Sequence, residues 1–205
     1  MGFYQRHIVP HLIHLSMSNR QATRWRARVV PAARGRVLEI GAGSGLNLPF
    51  YGPEVRAVTA LEPSEALLAK AAKRARHAAF DIELVHGVAE DLRFEDRAFD
   101  SVVMTWTLCS IGDPATALAQ MRRVLNPDGE LIFIEHGLSP DSGVAAWQRR
   151  LNPLWNRCSG GCNLNRPIGD LIRAAGFVLN GLETGYLIKG PRPLTYHYRG
   201  RARPA

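Results

Sequence analysis

Residues 37–45 read Val-Leu-Glu-Ile-Gly-Ala-Gly-Ser-Gly, an apolar run followed by three glycines at alternate positions. The run predicts a buried strand, and the glycines predict a sharp turn whose backbone can approach a ligand without Cβ clashes. A dinucleotide-binding loop would carry G-x-G-x-x-G, but here Gly45 comes one place early. Glu39, two residues before the first glycine, adds a carboxylate that can accept a hydrogen bond from a cationic amine. This stretch therefore predicts a strand that ends in a ligand-binding loop.

β-rich runs and helical patterns alternate on the carboxyl side of this loop. Ser64 is a candidate N-cap for the helix after the second strand, and residues 126–129 (Asn-Pro-Asp-Gly) predict a turn. The alternation predicts an α/β fold with a doubly wound, mostly parallel sheet of seven strands, and helices before Arg34 that pack on it. Further helices are expected at 114–125, 145–154 and 168–175, and strands at 37–40, 55–61, 82–86, 99–105, 130–135, 177–182 and 186–198.

Length and composition narrow the class of protein. The chain has 205 residues, 46% hydrophobic and 21% charged, which is too apolar for a disordered protein and suits one folded domain. We find neither an apolar run of the ~18 residues that a membrane span needs nor a signal-peptide pattern. Three cysteines cannot form a disulfide framework, which favours a reducing, cytoplasmic setting. The sequence does not indicate an oligomeric state.

The basic excess, +8 from 26 Lys and Arg against 18 Asp and Glu, is unevenly distributed. Seven arginines precede Glu39, the first acidic residue, and two further acid-free stretches cover residues 142–169 and the chain after Glu183. An anionic partner such as nucleic acid, lipid or an anionic substrate is one interpretation, and a solvated basic surface is the other.

A second ligand-binding signal stands at the end of the second predicted strand. Glu62 lies there, 23 residues after Glu39, where a carboxylate can accept hydrogen bonds from both hydroxyls of a ribose. Further motifs follow the third and fourth strands and precede the fifth, at residues 87–91, 105–108 and 123–130. Together the five motifs resemble those of class I S-adenosylmethionine-dependent methyltransferases, whose first motif is E/D-x-G-x-G-x-G.

This resemblance implies a Rossmann-like methyltransferase fold with S-adenosylmethionine as the cofactor. It also implies one domain, residues 1–205, with an N-terminal helical lid (1–34), a cofactor-binding half (35–137) and a substrate-side half (138–205). Carried onto the matching positions, the cofactor-binding residues are Glu39, Gly41, Gly43, Gly45, Asn47, Glu62, Pro63, Ala89, Glu90, Thr105 and Thr107.

Shorter motifs resemble one subgroup, the methyltransferase-like 7 family, whose animal members are alkyl thiol S-methyltransferases. The matches run from Phe3 to about Tyr186 and include residues 45–51, 107–111, 135–137 and 160–166. The resemblance implies methyl transfer to a small-molecule acceptor, foremost a thiol or sulfide sulfur. A phospholipid-amine N-methyltransferase or a quinone C-methyltransferase is the alternative with the same cofactor half. Animal members carry an apolar N-terminal membrane segment that this chain lacks, so we expect no membrane span and at most weak peripheral membrane contact.

His136 and Asp91 are the candidate catalytic residues. His136 ends the fifth predicted strand, where doubly wound enzymes bind substrates, and it can take the acceptor's proton. Structural roles are the alternatives, with the imidazole bonded to the backbone and the aspartate forming a turn. We expect four residues to line the acceptor pocket: Tyr4, Trp106, Trp147 and Cys162. For the tryptophans, packing in the core is the alternative.

No metal site is expected from the cysteines or histidines. Cys158 and Cys162 lack the second ligand pair of a structural zinc site, and Cys109 would have to be recruited across the sheet. Three N-terminal histidines fit the polar face of a lid helix better than a metal site, because no nearby carboxylate orients them: His7, His11 and His14.

Nucleic acid is not the expected partner, and a nucleic-acid-binding or nucleic-acid-methylating protein that uses the basic stretches is the alternative from another functional class. Residues 152–155, Asn-Pro-Leu-Trp, resemble the Asn-Pro-Pro-Tyr/Phe/Trp motif of amino methyltransferases. In those enzymes, however, the motif directly follows the fourth strand. In this chain residues 105–108, Thr-Trp-Thr-Leu, occupy that position. The main argument for base methylation is therefore absent.

Overall fold

The computed structural model describes residues 9–205, in which seven strands form one sheet. The strands are β1 (Gly35–Ile40), β2 (Val55–Glu62), β3 (Asp81–His86), β4 (Phe99–Thr105), β5 (Leu125–His136), β6 (Phe177–Tyr186) and β7 (Tyr196–Pro204). The helices are α1 (Val9–Met17), α2 (Arg20–Val29), α3 (Glu65–Ala75), α4 (Pro114–Val124), α5 (Ser142–Cys158) and α6 (Ile168–Ala174).

The order of the strands places the ligand-binding edge of the sheet. They run β3-β2-β1-β4-β5-β7-β6, with β7 antiparallel to both of its neighbours and the other pairs parallel. This confirms the predicted doubly wound, mostly parallel sheet. The chain order reverses between β1 and β4, and open α/β sheets bind ligands outside the carboxyl ends of the strands at such a point.

Both faces of the sheet are buried, and alternate residues of each central strand point into the two cores. On one face, Leu38 and Ile40 of β1 pack in a core with Met121 of α4 and residues of α6. On the other face, Val37 packs in a second core with Val30, directly after α2. The helices before β1 therefore cover the sheet, as predicted from the sequence.

Side-chain caps begin two of the helices that follow the strands. The Ser64 hydroxyl accepts a hydrogen bond from the backbone N–H of Leu67 and caps α3, as predicted. The Asp113 carboxylate accepts from the N–H groups of Ala115 and Thr116 at the start of α4. Within residues 9–205, no helix combines the length and apolar character needed to cross a bilayer.

Two sequence-based boundaries are wrong. Residues 126–129 do not separate α4 from a later strand: β5 begins at Leu125, and these residues form an irregularity that shifts the β4–β5 register. The last strand does not span residues 186–198. Tyr186 ends β6, and β7 begins at Tyr196, after a linking segment with a short 3-10 turn at Arg192–Leu194. Two prolines in this segment, Pro191 and Pro193, cannot donate ladder hydrogen bonds, which explains the interruption.

Candidate functional site

The glycine loop leaves the carboxyl end of β1 at the switch point of the sheet. Gly41, Gly43 and Gly45 all have left-handed backbones, with φ of 66°, 57° and 75°. A Cβ atom on Gly41 would collide with the side chain of Thr107, so the loop lies directly against the segment after β4. At Gly43 the nearest atom to such a Cβ is 4.0 Å away, so this side of the loop faces open space. The loop is therefore a backbone cradle with one open side.

Glu62, at the end of β2, holds this cradle. Its Oε2 accepts a hydrogen bond from the backbone N–H of Gly43 (2.8 Å), and its Oε1 accepts from that of Ser64 (2.9 Å). Burial raises the pKa of this carboxyl, while the two N–H donors oppose the shift. Pro63 is exposed, and its carbonyl oxygen lies 2.9 Å from Nε2 of His86.

Glu39 lies beneath the loop, where side chains rather than backbone amides satisfy it. Its Oε1 accepts from the Asn47 amide (2.9 Å) and its Oε2 from the Tyr51 hydroxyl (2.8 Å). Burial raises the pKa of Glu39 to about 7. The Asn47 amide also donates to the Thr105 hydroxyl (3.1 Å) and accepts from the Nε–H of Arg26 (3.0 Å). The predicted cofactor residues Glu39, Asn47 and Thr105 therefore form one buried network.

The segment after β4 connects the glycine loop to the end of β5. The Thr107 hydroxyl donates to the Ile40 carbonyl oxygen (3.1 Å). Trp106 has a left-handed backbone (φ 55°), which is uncommon for a bulky residue and occurs at functional sites. The guanidinium of Arg26 lies 5.0 Å from the centre of its ring. Arg26 and Trp106 therefore restrain each other beside the buried network of Glu39, Asn47 and Thr105.

The loop after β3 carries three predicted site residues. Ala89 is buried, and Glu90 accepts a hydrogen bond from the N–H of Asp113 (3.2 Å). Asp91 is exposed and forms an ion pair with Arg93 (3.0 Å) on the surface. A catalytic role for Asp91 stays a prediction, and its surroundings are those of a surface turn.

Two thiols and one imidazole meet at the carboxyl ends of β4 and β5. This thiol–imidazole cluster consists of Cys109, His136 and Cys162, whose donor atoms all lie within 4.8 Å of one another. The Cys162 sulfur lies 3.5 Å from that of Cys109 and 3.7 Å from Nδ1 of His136. The hydrogen bond between the two thiols lowers the pKa of Cys162, and His136 contributes to that shift. The same bond, together with burial, raises the pKa of Cys109. No residue in 9–205 hydrogen-bonds the buried Nε2 of His136.

Buried polar contacts hold the cluster in place. The Glu135 carboxylate accepts from the N–H of Thr107 (2.8 Å) and of Cys109 (3.4 Å), so it fixes the loop that carries Cys109. Burial raises the pKa of Glu135 to about 7. The N–H of Asn163 donates to the Cys109 carbonyl oxygen (2.8 Å), and Arg166 donates to that of Leu108. The segment that carries Cys162 is therefore tied to the loop after β4, next to the cofactor network.

The remaining predicted pocket residues have different surroundings. Trp147 on α5 is 55% exposed and lies against Arg150. The buried indole of Trp155 neighbours Cys162 and contributes to lowering the pKa of that thiol. Tyr4 and His7 lie outside the described residues. Nδ1 of His14 is 2.7 Å from the Ser44 hydroxyl, so α1 contacts the glycine loop.

Comparisons with known proteins agree with this geometry. The family profile described as a methyltransferase domain matches residues 38–133. A solved S-adenosylmethionine-dependent methyltransferase from Thermotoga maritima shares the fold, with a TM-score of 0.68 and 22% identity over 97% of this chain and 99% of that one. Human thiol S-methyltransferase TMT1B is 40% identical over 83% of this chain and 72% of the human protein. The chain belongs to the S-adenosylmethionine-dependent methyltransferases.

As a methyltransferase, the chain uses S-adenosylmethionine as its cofactor, and the switch-point site fits that molecule. The open side of Gly43 and the buried Glu62 carboxylate lie together, as a sugar with two hydroxyls requires. A second relative, the phosphatidylethanolamine N-methyltransferase of Cereibacter sphaeroides, is 34% identical over 60% of this chain and 61% of that protein. Other animal thiol S-methyltransferases are matched over 59 to 62% of their length.

Proposed function

We propose that this methyltransferase transfers the methyl group of S-adenosylmethionine to the sulfur of a small thiol or sulfide. The observation that carries the proposal is the 40% identity to human thiol S-methyltransferase TMT1B, which extends over 83% of the chain. A match over 83% of the chain necessarily extends past residue 133, where the family profile ends, into the substrate-side half. The thiol–imidazole cluster supports the same acceptor class.

The cofactor side of the site follows from the buried network. Glu62 and the glycine loop would hold the ribose and the amino-acid end of the cofactor, and Ala89 with Glu90 would border the adenine. Asn47 has all its amide contacts within the protein, so we assign it to supporting the loop through Glu39 and Arg26. When bound, S-adenosylmethionine supplies an electrophilic methyl group on a sulfonium.

The acceptor side requires a nucleophile aligned with that methyl group and a place for its proton. A thiol acts through its thiolate, so only a modest base is needed. The Nε2 atom of His136 is a buried polar group without a partner in the described chain, beside the segment that contacts the glycine loop. We assign His136 to the acceptor's proton and Trp106 to the wall between the two subsites.

Phospholipid-amine N-methylation is the second candidate, since a phosphatidylethanolamine N-methyltransferase is among the relatives. The basic stretches would suit such a headgroup, but several of their arginines are already engaged. Arg199 pairs with Glu183, and Arg201 and Arg203 both pair with Glu130. The same pairing weakens the argument for a nucleic-acid surface. Thiols therefore remain the preferred acceptor.

The organisation of the chain completes the proposal. One domain has a lid at residues 1–34, a cofactor-binding half at 35–137 and a substrate-side half at 138–205. The lid assignment is supported by the contact of His14 with Ser44. The cytoplasm is the proposed compartment, since three cysteines do not provide the disulfide framework of a small secreted domain.

An acceptor panel tests the function. The purified chain is incubated with S-adenosylmethionine and, separately, with alkyl thiols, phosphatidylethanolamine vesicles or a demethylmenaquinol, and products are identified by mass spectrometry. S-methyl products are expected, with a His136→Asn variant reducing kcat more than tenfold. His77→Asn, an exposed histidine after α3, is the matched control and should match wild type. Methylated lipid or quinol without any thiol product would overturn the proposal.

A further inference from the structure

The thiol–imidazole cluster has the donor set and the spacing of a metal site. Cys109, His136 and Cys162 come from three separate segments, yet their donor atoms all lie within 4.8 Å of one another. A tetrahedral zinc ion with Zn–S bonds of ~2.3 Å and Zn–N bonds of ~2.1 Å separates its donors by roughly 3.5 to 3.8 Å. Two of the three separations, 3.5 Å between the sulfurs and 3.7 Å from Cys162 to Nδ1 of His136, lie in this range. The third pair, Cys109 and His136, lies within 4.8 Å, so a small approach of these two side chains completes the site.

The surroundings of the cluster keep its donors converged. His136 is anchored at the end of β5, where it pairs with His197 of β7. Cys109 is fixed by Glu135, and the segment of Cys162 is fixed by the bond from Asn163 to the Cys109 carbonyl oxygen. Donors that are already gathered lose little conformational freedom when a metal binds, so affinity does not depend on rearranging the loops.

We propose that Cys109, Cys162 and Nδ1 of His136 bind one Zn²⁺ ion, with its fourth position available to the acceptor thiol. Two thiolates and one imidazole favour zinc over magnesium or calcium, which prefer oxygen ligands. Three protein ligands with an open position are the arrangement of catalytic rather than structural zinc. Cys162 is only partly buried, so one side of the cluster borders the solvent.

The role of the ion rests on the proposed thiol methylation. A thiol that coordinates zinc loses its proton, here to solvent, and becomes a zinc-bound thiolate. Its sulfur then forms a bond to the methyl carbon while the carbon–sulfonium bond breaks, and that electron pair stays on the sulfur of S-adenosylhomocysteine. In the zinc form the metal takes over the activation of the acceptor, and His136 acts as a ligand.

Cobalt substitution tests the site without reference to activity. The reduced, EDTA-treated protein is titrated with Co²⁺, and thiolate-to-cobalt charge transfer is followed in the near ultraviolet. We expect one Co²⁺ per chain, displaced by Zn²⁺, with Cys109→Ser, Cys162→Ser and His136→Ala each weakening binding at least tenfold, and with each of the two cysteine variants losing at least half of the charge-transfer absorbance. Cys158→Ser, on the exposed cysteine four residues away, should bind like wild type. Thermal melting and calorimetry with S-adenosylmethionine verify that each variant is folded.

The other outcomes separate failure of the zinc site, failure of its role and failure of the thiol function. A missing band, or a band unchanged in Cys162→Ser, overturns metal binding. Loss of two titratable thiols in air without Co²⁺ binding would instead identify Cys109 and Cys162 as a redox pair. If Co²⁺ binds but no thiol is methylated, the thiol function fails and the metal site stands. If the metal-free and zinc-loaded enzymes methylate thiols at equal rates, the role of zinc fails and the function stands.

Discussion

Glu62→Gln is the substitution that probes the cofactor site most sharply. The wild-type carboxylate accepts one backbone N–H on each oxygen, from Gly43 and Ser64. An amide keeps the size of the side chain but must turn its NH₂ toward one of these two donors. It also removes the negative charge that would accept two ribose hydroxyls. Hydrogen bonds to a charged group contribute about 1.5–3 kcal/mol each, and the glutamine keeps part of them.

The expected loss of binding free energy is about 2–3 kcal/mol, or roughly 30- to 150-fold in Kd for S-adenosylmethionine. Isothermal titration calorimetry measures it, with Glu54→Gln as the control. Glu54 is exposed and lies just before the amino end of the same strand, so its substitution should leave Kd unchanged. A Glu62→Gln protein that is folded and binds within threefold of wild type would refute the assignment of this carboxylate to the cofactor.

Three further predictions concern the network and the catalytic candidates. Folding favours the protonated form of Glu39, because its pKa is raised to about 7, so stability falls as pH rises from 5 to 8. Glu39→Gln should reduce that fall by about 2–3 kcal/mol in urea unfolding, and an identical pH profile would exclude this origin. Arg26→Met removes the hydrogen bonds that the Asn47 amide oxygen and the Met17 carbonyl oxygen accept from the guanidinium, and it should cost about 2–4 kcal/mol by the same assay, against under 0.5 kcal/mol for exposed Arg24→Met. Asp91→Asn should change kcat less than threefold, since its carboxylate pairs with Arg93 on the surface; a loss above tenfold would restore its catalytic role.

The fold could be predicted in detail wherever local pattern and tertiary structure agree. The strand at residues 99–105 was predicted with its observed bounds, Phe99–Thr105. Its apolar residues are buried in the structure, so the local pattern and the tertiary structure agree here. Residues 126–129 carry every sign of a turn, yet they remain in β5. Pairing with β4 exists before these residues, at Leu125, and resumes after them, at Glu130, so the four residues form an irregularity within the strand. Nothing in the four residues themselves indicates that the strand begins before them.

The cofactor site could be predicted from short motifs, but its supporting residues could not. Arg26 lies in an acid-free stretch interpreted as surface charge, yet it is 4% exposed and bonds Asn47. Cys109 was expected to lie across the sheet from Cys162. Because the loop after β4 turns toward the end of β5, their sulfurs are 3.5 Å apart. Such long-range contacts depend on the paths of the loops, which the local hydrophobic pattern of the sequence does not predict.

A competition among acceptors distinguishes thiol, lipid and quinone methylation in one reaction. One reaction contains the enzyme, S-adenosylmethionine with a labelled methyl group, and equimolar alkyl thiol, phosphatidylethanolamine in vesicles and demethylmenaquinol. The distribution of label reports the ratios of kcat/KM, independent of how active the preparation is. If the enzyme is a thiol methyltransferase, the S-methyl product carries most of the label. Label found mainly in the lipid or the quinone would contradict it.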